Sequence, residues 1–337
     1  MYVINAENVN DAMGQGLKLI RAEGVALNSR NGMTLELPAP VATVYKNPGQ
    51  RVLISAARDA NPFFHLMESL WILAGRVDVK FLHEFNKNMV NFSDNGIDFN
   101  APYGYRLRNY FGKDQLEYII STLKAYPSSR QAVCQIWDVE DLDKLTKDKA
   151  CNMSIVFRIR NGVLDMTVYN RSNDMIWGAY GANVVQFSMI QEYVAAWLNI
   201  PMGTYTQVSN SFHVYTSGPG GDVFRRVLEG FNNNYNPYEF VRNTYSMTHL
   251  DMDAFEHDLK QFFYIYDNYG LEEIGETTYW RSQYFRTLIL PVIYAYLVHK
   301  QHGPELALKL IPLIEADDWA MAVTDWLKIR IDKRKSK

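Results

Sequence analysis

Residues 151–183 read CNMSIVFRIRNGVLDMTVYNRSNDMIWGAYGAN, and this stretch decides the fold. Two runs with alternating apolar residues, 154–160 and 163–169, flank the pair Asn161-Gly162. Asn-Gly is the preferred pair for a two-residue hairpin turn, because both turn residues adopt positive φ. The pattern therefore predicts a β-hairpin whose outer ends lie close together.

The two outer ends of this hairpin carry a cysteine and an arginine. Cys151 precedes the first strand and Arg171 follows the second. A guanidinium beside a thiol favours the thiolate, which is the form that attacks carbon, so Cys151 is a candidate nucleophile. Cys134 lies within an apolar strand pattern and is expected to be a buried packing residue.

Composition limits the classes of protein to which the chain can belong. Its 337 residues are 47% hydrophobic and 14% aromatic, which predicts a large folded core. The net charge of −3 gives no basic surface for nucleic acid, so any phosphate bound is expected to be small. Two cysteines exclude a disulfide framework, and neither a signal peptide nor an apolar run of membrane-spanning length is visible. We therefore expect a cytoplasmic protein that binds no membrane.

The order of predicted elements indicates an α+β protein. Helical patterns cover residues 7–23, Pro62 to about Phe85, 114–125 and 184–199. Strand patterns cover residues 26–57 with turns at 30–32 and 48–49, then 131–139, the hairpin and 204–215.

The character of the chain changes after Gly218-Pro219-Gly220-Gly221. Residues 222–331 are mostly helical in pattern, and Lys333-Arg334-Lys335 is expected to be a solvated tail. We predict one catalytic core, residues 1–215, and a mostly helical C-terminal extension, residues 216–337, packed on it.

Seven short motifs occur in an order and spacing that are typical of one enzyme family. They are His65–Trp71 (HLMESLW), Pro102-Tyr103-Gly104, Ser129-Arg130, Cys151, Arg171-Ser172-Asn173-Asp174, Asn183 and His213-Val214-Tyr215. Together they cover about the first two thirds of the chain and resemble the thymidylate synthase family, which includes the viral pyrimidine deoxynucleotide hydroxymethylases. The resemblance implies a thymidylate synthase-like mixed sheet with packed helices.

The resemblance also implies a reaction. Cys151 would add to C6 of a pyrimidine deoxynucleoside monophosphate, and C5 would then accept a one-carbon unit from 5,10-methylenetetrahydrofolate, with no metal. Glu68 and Tyr103 would transfer protons through water, Glu68 only if burial raises its pKa toward neutrality. Arg171 would hold the thiolate and a phosphate oxygen, and Asp174 would serve the reaction by binding the pterin.

Further residues are assigned to ligands by the same resemblance. The substrate-binding residues would be Arg30, Arg130, Ser172, Asn183, His213 and Tyr215, and the folate would contact Asp174, Trp71 and Phe92. Arg21 competes with Arg30, which is favoured because Arg30-Asn31-Gly32 is typical of a loop that closes over a ligand. A symmetric homodimer is implied, in which Arg130 acts on the neighbouring subunit's site.

Departures from the family pattern bear on the product. No tryptophan occurs between residues 72 and 136, Asn91-Phe92-Ser93-Asp94 stands where synthases carry tryptophans, and the chain ends in a basic helix in place of an apolar closing tail. Asn152 replaces the histidine that usually follows the nucleophile, and Asn173 stands where synthases have cysteine. A wetter site favours water over hydride as the final reactant. We therefore favour a 5-hydroxymethyl product and a bacteriophage origin, in the cytoplasm of the host.

The choice of base depends on Asn183. Its amide can donate to O4 and accept from N3–H of uracil, whereas cytosine presents the reversed pattern. One residue is inserted between Arg171 and Asn183, and if Ala182 occupies the reading position the inference fails. A flipped amide would also accept cytosine, so dUMP is preferred and dCMP stays open. Thymidylate synthase is the alternative activity, and a catalytically silent nucleotide- or RNA-binding protein is the second alternative.

Overall fold

The computed structural model describes residues 1–277 and 279–335, and within them eight strands form one mixed sheet flanked by helices. The α+β class is therefore confirmed. The strands are β1 (Tyr2–Ala6), β2 (Val25–Ser29), β3 (Gly32–Glu36), β4 (Val41–Tyr45), β5 (Val133–Gln135), β6 (Asn152–Arg160), β7 (Val163–Asp174) and β8 (Met202–Tyr215).

The sheet runs in the order β1-β4-β8-β7-β6-β5, and the β2–β3 hairpin joins it through pairing of β3 with β8. β1 pairs with β4, and β7 with β8, in parallel, while the other pairs are antiparallel. The predicted β6–β7 hairpin is confirmed, since Asn161 and Gly162 have φ of 50° and 77°. The long strands β7 and β8 place Asp174 opposite His213 at one end of the sheet.

Helices cover the sheet and extend beyond it. They are α1 (Val9–Glu23), α2 (Pro62–Leu73), α3 (Val79–Phe85), α4 (Tyr103–Tyr105), α5 (Gln115–Ala125), α6 (Asn183–Leu198), α7 (Gly218–Gly230), α8 (Met252–Tyr269), α9 (Leu271–Glu276), α10 (Leu290–His302), α11 (Pro304–Ala307) and α12 (Asp317–Lys335). A π-helical segment, Met175–Ala182, leads from β7 into α6, which is buried from Asn183 to Ala196. No helix in the described part of the chain has the length and apolar character needed to cross a membrane.

Two predicted strands are shorter than expected. Residues 46–57 are not a strand, because the backbone of Val52 bonds Tyr238 and Asn10 and pairs with no neighbouring strand. The strand predicted over 131–139 is reduced to β5, because the Ile136 carbonyl accepts from Arg106 at 2.8 Å and Asp138 caps a short turn of 3₁₀ helix. In both places polar side chains satisfy backbone groups that a longer strand would have used.

The single helix expected from Pro62 to Phe85 is two helices. α2 ends at Leu73, the chain turns, and Asp78 begins α3 by accepting a hydrogen bond from the backbone N–H of Phe81 at 3.0 Å. The indole of Trp71 donates to the Asp78 carbonyl at 3.1 Å and so ties the turn to α2. The break leaves room beside α2 for the cleft described below.

Helices after residue 215 pack into the same hydrophobic core as the sheet. The ring of Phe63 on α2 lies 5.2 Å from Tyr296 of α10 and 5.3 Å from Trp326 of α12. The prediction of a solvated tail is wrong for Lys333, because this residue lies in α12 and pairs with Asp59 at 3.0 Å. The boundary at residue 215 stays a prediction.

Candidate active site

Cys151 and Arg171 meet at the outer end of the β6–β7 hairpin, as the sequence predicted. Nη2 of Arg171 lies 3.6 Å from Sγ of Cys151. The guanidinium is held in place by two backbone carbonyls, because Nε donates to Ala150 at 2.8 Å and Nη2 to Lys149 at 2.9 Å. The sulfur is partly exposed, so a ligand can reach it.

The pKa of the Cys151 thiol is nevertheless raised. Burial raises this pKa, Arg171 lowers it, Asp148 raises it and Arg30 lowers it, and the net direction is upward. The expected depression of the pKa is therefore wrong, because desolvation of the thiolate outweighs the two arginines. Cys134 is confirmed as a packing residue: it is fully buried, and burial raises its pKa to about 12.

A cleft lies beside the α2 helix. Its lining consists of Glu68, Trp71, Ile72, Leu82, Met89, Phe92, Phe99, Ala101, Pro102, Tyr103, Asp148, Asn183 and Gln186. The lining is mostly apolar and aromatic on one side, with a few polar groups, which is the composition of a small-molecule site.

Glu68 is the buried acid of this cleft. Burial raises its pKa to about 7, and a hydrogen bond with Gln186 opposes the shift. Its Oε2 is buried and has no hydrogen-bond partner among the described residues. A carboxyl group with a pKa near neutrality and an open bonding position can both donate and accept a proton.

Tyr103 connects the cleft to the nucleophile. Burial raises the pKa of its phenol, and the negative potential of Cys151 and Asp148 adds to the shift, so Tyr103 stays a neutral proton donor. The following residue must be glycine, because a Cβ on Gly104 would lie 2.1 Å from the carbonyl oxygen of Ile72. This close approach seats α4 against α2 and positions the phenol.

The residues expected to contact folate are divided between two places. Trp71 is buried in the cleft wall with Phe99 edge-on at 5.7 Å, whereas Phe92 is 53% exposed at the cleft. Asp174 does not line the cleft, and its Oδ1 accepts from the backbone N–H groups of Ile176 and Trp177 at 2.8 and 2.7 Å. A folate role for Asp174 stays a prediction. In that role Oδ2 would contact the folate, because Oδ1 already accepts two backbone hydrogen bonds.

The residues expected to bind the sugar and the phosphate lie at the ends of β7 and β8, except Arg30 and Arg130. Ser172 pairs with Ser211 across the strands, and the Ser211 hydroxyl lies 3.3 Å from Nδ1 of His213. The rings of His213 and Tyr215 are 5.5 Å apart, and Asn31 donates to the Tyr215 hydroxyl at 3.4 Å.

Arg30 and Arg130 differ in their distance from this group. Arg30 lies in the β2–β3 turn, close enough to Cys151 to lower its pKa, and lines a second cavity together with Phe92 and Lys147. Arg130 is exposed just before β5, and within the described residues it forms no ion pair. The structure thus places Arg30 near Cys151, whereas Arg130 is exposed on the surface.

Asn183 stands at the start of α6 and lines the cleft, whereas Ala182 does not. Its Nδ2 donates to Oδ1 of Asn173 at 3.0 Å. The inserted residue therefore does not displace Asn183 from the cleft, and its reading of a base stays a prediction.

Three polar residues near the site were missed as candidates: Asp148, Gln186 and Gln207. Gln186 follows Asn183 by three positions, so a shared helix face was visible in the sequence. Asp148 precedes Cys151 by three positions without any pattern, and Gln207 meets Asn173 only when β7 and β8 are assembled in the sheet. Only Gln186 had a sequence signal.

Comparison with known proteins agrees with this geometry. Residues 16–264 match the family model described as thymidylate synthase. A deoxyuridylate hydroxymethyltransferase of Pseudomonas phage M6 is 39% identical over 342 residues, covering 98% of this chain and 95% of the relative. One of Bacillus phage SP01 is 43% identical, covering 66% of this chain and 61% of the relative. A putative thymidylate synthase of Methanosarcina barkeri is 30% identical, covering 68% and 96%. The chain belongs to the thymidylate synthase family.

Proposed function

We propose that this chain catalyses the folate-dependent 5-hydroxymethylation of dUMP through a covalent adduct on Cys151. The observation that carries the proposal is the 3.6 Å contact between Cys151 Sγ and Arg171 next to a cleft that contains Glu68. The names of the two phage relatives support hydroxymethylation of deoxyuridylate and action in the cytoplasm of an infected host.

Cys151 begins the reaction on the pyrimidine. Its thiolate bonds to C6, and the electron pair of the C5–C6 double bond moves toward C5 and O4, which makes C5 nucleophilic. C5 bonds to the one-carbon unit, and loss of the C5 proton then breaks the bond from that carbon to the folate nitrogen, which releases tetrahydrofolate and leaves an exocyclic methylene. Water adds to this methylene carbon. Departure of Sγ from C6 restores the double bond. Arg171 stabilises the sulfur as an anion at both ends of this sequence.

The cleft fits the proposed one-carbon donor. Its walls include Trp71, Phe92 and Phe99, which suit a flat heteroaromatic ring, and Glu68 offers an unpaired oxygen to a polar ring edge. Methylenetetrahydrofolate, when bound, supplies a carbon at the oxidation level of formaldehyde. Glu68, protonated or ionised near pH 7, and the neutral phenol of Tyr103 would move protons through water.

Access of water to this cleft supports a hydroxymethyl product. Phe92 is half exposed, and Glu68, Asp148, Asn183 and Gln186 give the lining polar groups that hold water. The described part of α12 contributes no residue to the lining. A site that stays wet at the exocyclic carbon favours hydration over hydride transfer.

The test is product analysis with dUMP and methylenetetrahydrofolate. We expect a nucleotide with the mass of dUMP plus CH₂O and no absorbance of dihydrofolate. Formation of dTMP with one dihydrofolate per turnover would show a thymidylate synthase instead. A Cys151→Ala variant should bind dUMP and form no product, which separates catalysis from binding.

We further propose a homodimer in which Arg130 reaches the phosphate of the neighbouring site. The support is that Arg130 is exposed beside the edge strand β5, where Val133 is 47% exposed. Mixing the separately inactive Arg130→Ala and Cys151→Ala variants should restore about a quarter of wild-type activity, because half of the dimers are mixed and each has one complete site. No recovery after subunit exchange would place Arg130 in its own subunit's site.

A further inference from the structure

A buried chain of side-chain amides connects the backbone to Asn183. Gln207 on β8 donates from Nε2 to the Ala179 carbonyl at 3.1 Å. Its Oε1 accepts from Nδ2 of Asn173 at 2.7 Å, and Oδ1 of Asn173 accepts from Nδ2 of Asn183 at 3.0 Å. Gln207 and Asn173 are 1% and 2% exposed, so water cannot replace these bonds at low cost.

We call the chain from Gln207 through Asn173 to Asn183 the relay, and the direction of its hydrogen bonds is fixed at Gln207. The Ala179 carbonyl can only accept, and it also accepts from the Tyr45 hydroxyl at 3.0 Å. Gln207 must therefore turn its nitrogen toward Ala179 and its oxygen toward Asn173. Asn173 in turn directs its nitrogen to Gln207 and its oxygen to Asn183, so each amide in the relay has one permitted orientation.

The last member of the relay faces the cleft. Asn183 uses one N–H on Asn173 and keeps its second N–H and its oxygen for a ligand. If Asn183 flipped, two oxygens would face each other at Asn173. If Asn173 and Gln207 flipped as well, the oxygen of Gln207 would face the carbonyl oxygen of Ala179. That backbone carbonyl cannot become a donor, so the conflict would remain.

We propose that Asn173 is a positioning residue that fixes the amide of Asn183 through this relay and so sets the preference for one pyrimidine over the other. The inference rests on the proposed function and adds a determinant of specificity to it. Uracil needs a donor at O4 and an acceptor at N3–H, while cytosine needs the reverse, so one fixed amide serves one base. Because the proposed substrate is dUMP, we assign the fixed orientation of Asn183 to uracil.

The test compares kcat/KM for dUMP and for dCMP in one set of variants. Asn173→Leu removes the oxygen that accepts from Asn183 and nearly keeps the side-chain volume. Gln207→Leu removes the hydrogen bonds that orient Asn173 and leaves Asn183 itself unchanged. Each should lower the dUMP/dCMP ratio about 10-fold or more, because either orientation of Asn183 becomes available. Gln207→Leu keeps the test informative if Asn173→Leu does not fold.

Ser209→Ala is the matched control. Ser209 is 2% exposed and its hydroxyl accepts from the same Nδ2 of Asn173 at 3.1 Å, but the relay keeps its direction without it. This variant should lose stability and keep the ratio. If Asn173→Leu and Gln207→Leu slow both substrates equally, the amides are only structural and the inference is overturned. A wild-type enzyme that turns over neither nucleotide would instead contradict the proposed function.

Discussion

Two buried carboxyl groups, Glu68 in the cleft and Asp318 in the first turn of α12, have similar pKa values and different surroundings. Burial raises both pKa values to about 7. Glu68 lines the cleft and its Oε2 has no partner among the described residues, whereas Asp318 accepts from the Trp319 backbone N–H at 2.9 Å and lies beside the Tyr238 hydroxyl at 3.5 Å. A shifted pKa therefore reports burial, and an open bonding position in a cavity is what makes proton exchange possible.

The region around Asp318 also shows how the C-terminal helices are attached. Arg51 and Glu192 form an ion pair at 2.7 Å, with side chains 4% and 1% exposed, and Glu192 also accepts from the backbone N–H of Met247 at 3.0 Å. These bonds join the residues before β8 to those after it. The polar groups here are used for packing, while those of the cleft are left available.

The largest effect is expected at Glu68. Glu68→Gln keeps the shape and removes the exchangeable proton, so kcat should fall about 10²- to 10⁴-fold while dUMP still binds. Asp318→Asn is the matched control, since it removes a carboxyl with a similar pKa and should keep kcat. Steady-state kinetics near pH 7 measure both. Equal losses in the two variants would mean that the cleft gives Glu68 no special role.

The next effect concerns stability. Arg51→Met leaves Glu192 buried without its ion-pair partner, and removing one member of a buried pair costs about 3–5 kcal/mol. Urea unfolding should show this loss, with kcat per folded molecule unchanged. The double variant Arg51→Met/Glu192→Leu should recover much of the loss, because the uncompensated charge is then gone. A loss below about 1 kcal/mol in the single variant would contradict the buried pair.

A third prediction uses the pKa shifts of the two carboxyl groups. In the folded state both pKa values are raised to about 7, from 4.5 for Glu68 and 3.8 for Asp318, so folding favours their protonated forms. The stabilisation from these two groups is complete below their unfolded-state pKa values. It is lost as the pH rises through the folded-state pKa values near 7, and the stability changes no further above them. Between pH 5.5 and 8 each group should lower the free energy of unfolding by about 2 kcal/mol.

Unfolding in urea at pH 5.5 and pH 8 checks this prediction. Glu68→Gln and Asp318→Asn should each remove their own share of the fall, and the double variant should remove both shares because the two groups are in separate regions. A difference between wild type and variant that does not change with pH would show that the carboxyl concerned has an ordinary pKa.

Local patterns in the sequence predicted the contact between Cys151 and Arg171 but not the surroundings of the thiol. Asn161-Gly162 defines a turn by itself, so the approach of Cys151 to Arg171 followed from spacing and is confirmed at 3.6 Å. The pKa of the thiol could not follow, because it depends on burial by residues distant in sequence. The break in the helix after Leu73 was missed for a different reason: the Trp71–Asp78 contact spans only seven positions, but the apolar pattern continues across the turn and hides it.

The relay and the Asp318 region were beyond the sequence altogether. Asn173 meets Gln207 only in the folded sheet: its Nδ2 donates to Oε1 of Gln207 at 2.7 Å, although its register partner on β8 is Phe212. Arg51, Glu192 and Asp318 come from three distant segments, each polar residue standing in an apolar context. Such pairs are found only when the elements that carry them have been packed together.

The smallest effect is expected for an exposed pair near the same C-terminal helices. Lys300 on α10 lies 3.3 Å from Glu84 of α3, with side chains 45% and 34% exposed. Water and salt screen such a pair, so Lys300→Ala should change the free energy of unfolding by less than about 1 kcal/mol. The contact between α10 and α3 would remain, because the Tyr296 hydroxyl still donates to the Glu84 carbonyl. Urea unfolding at low and high salt measures the change, and a loss as large as that of Arg51→Met would show that exposure does not separate the two pairs.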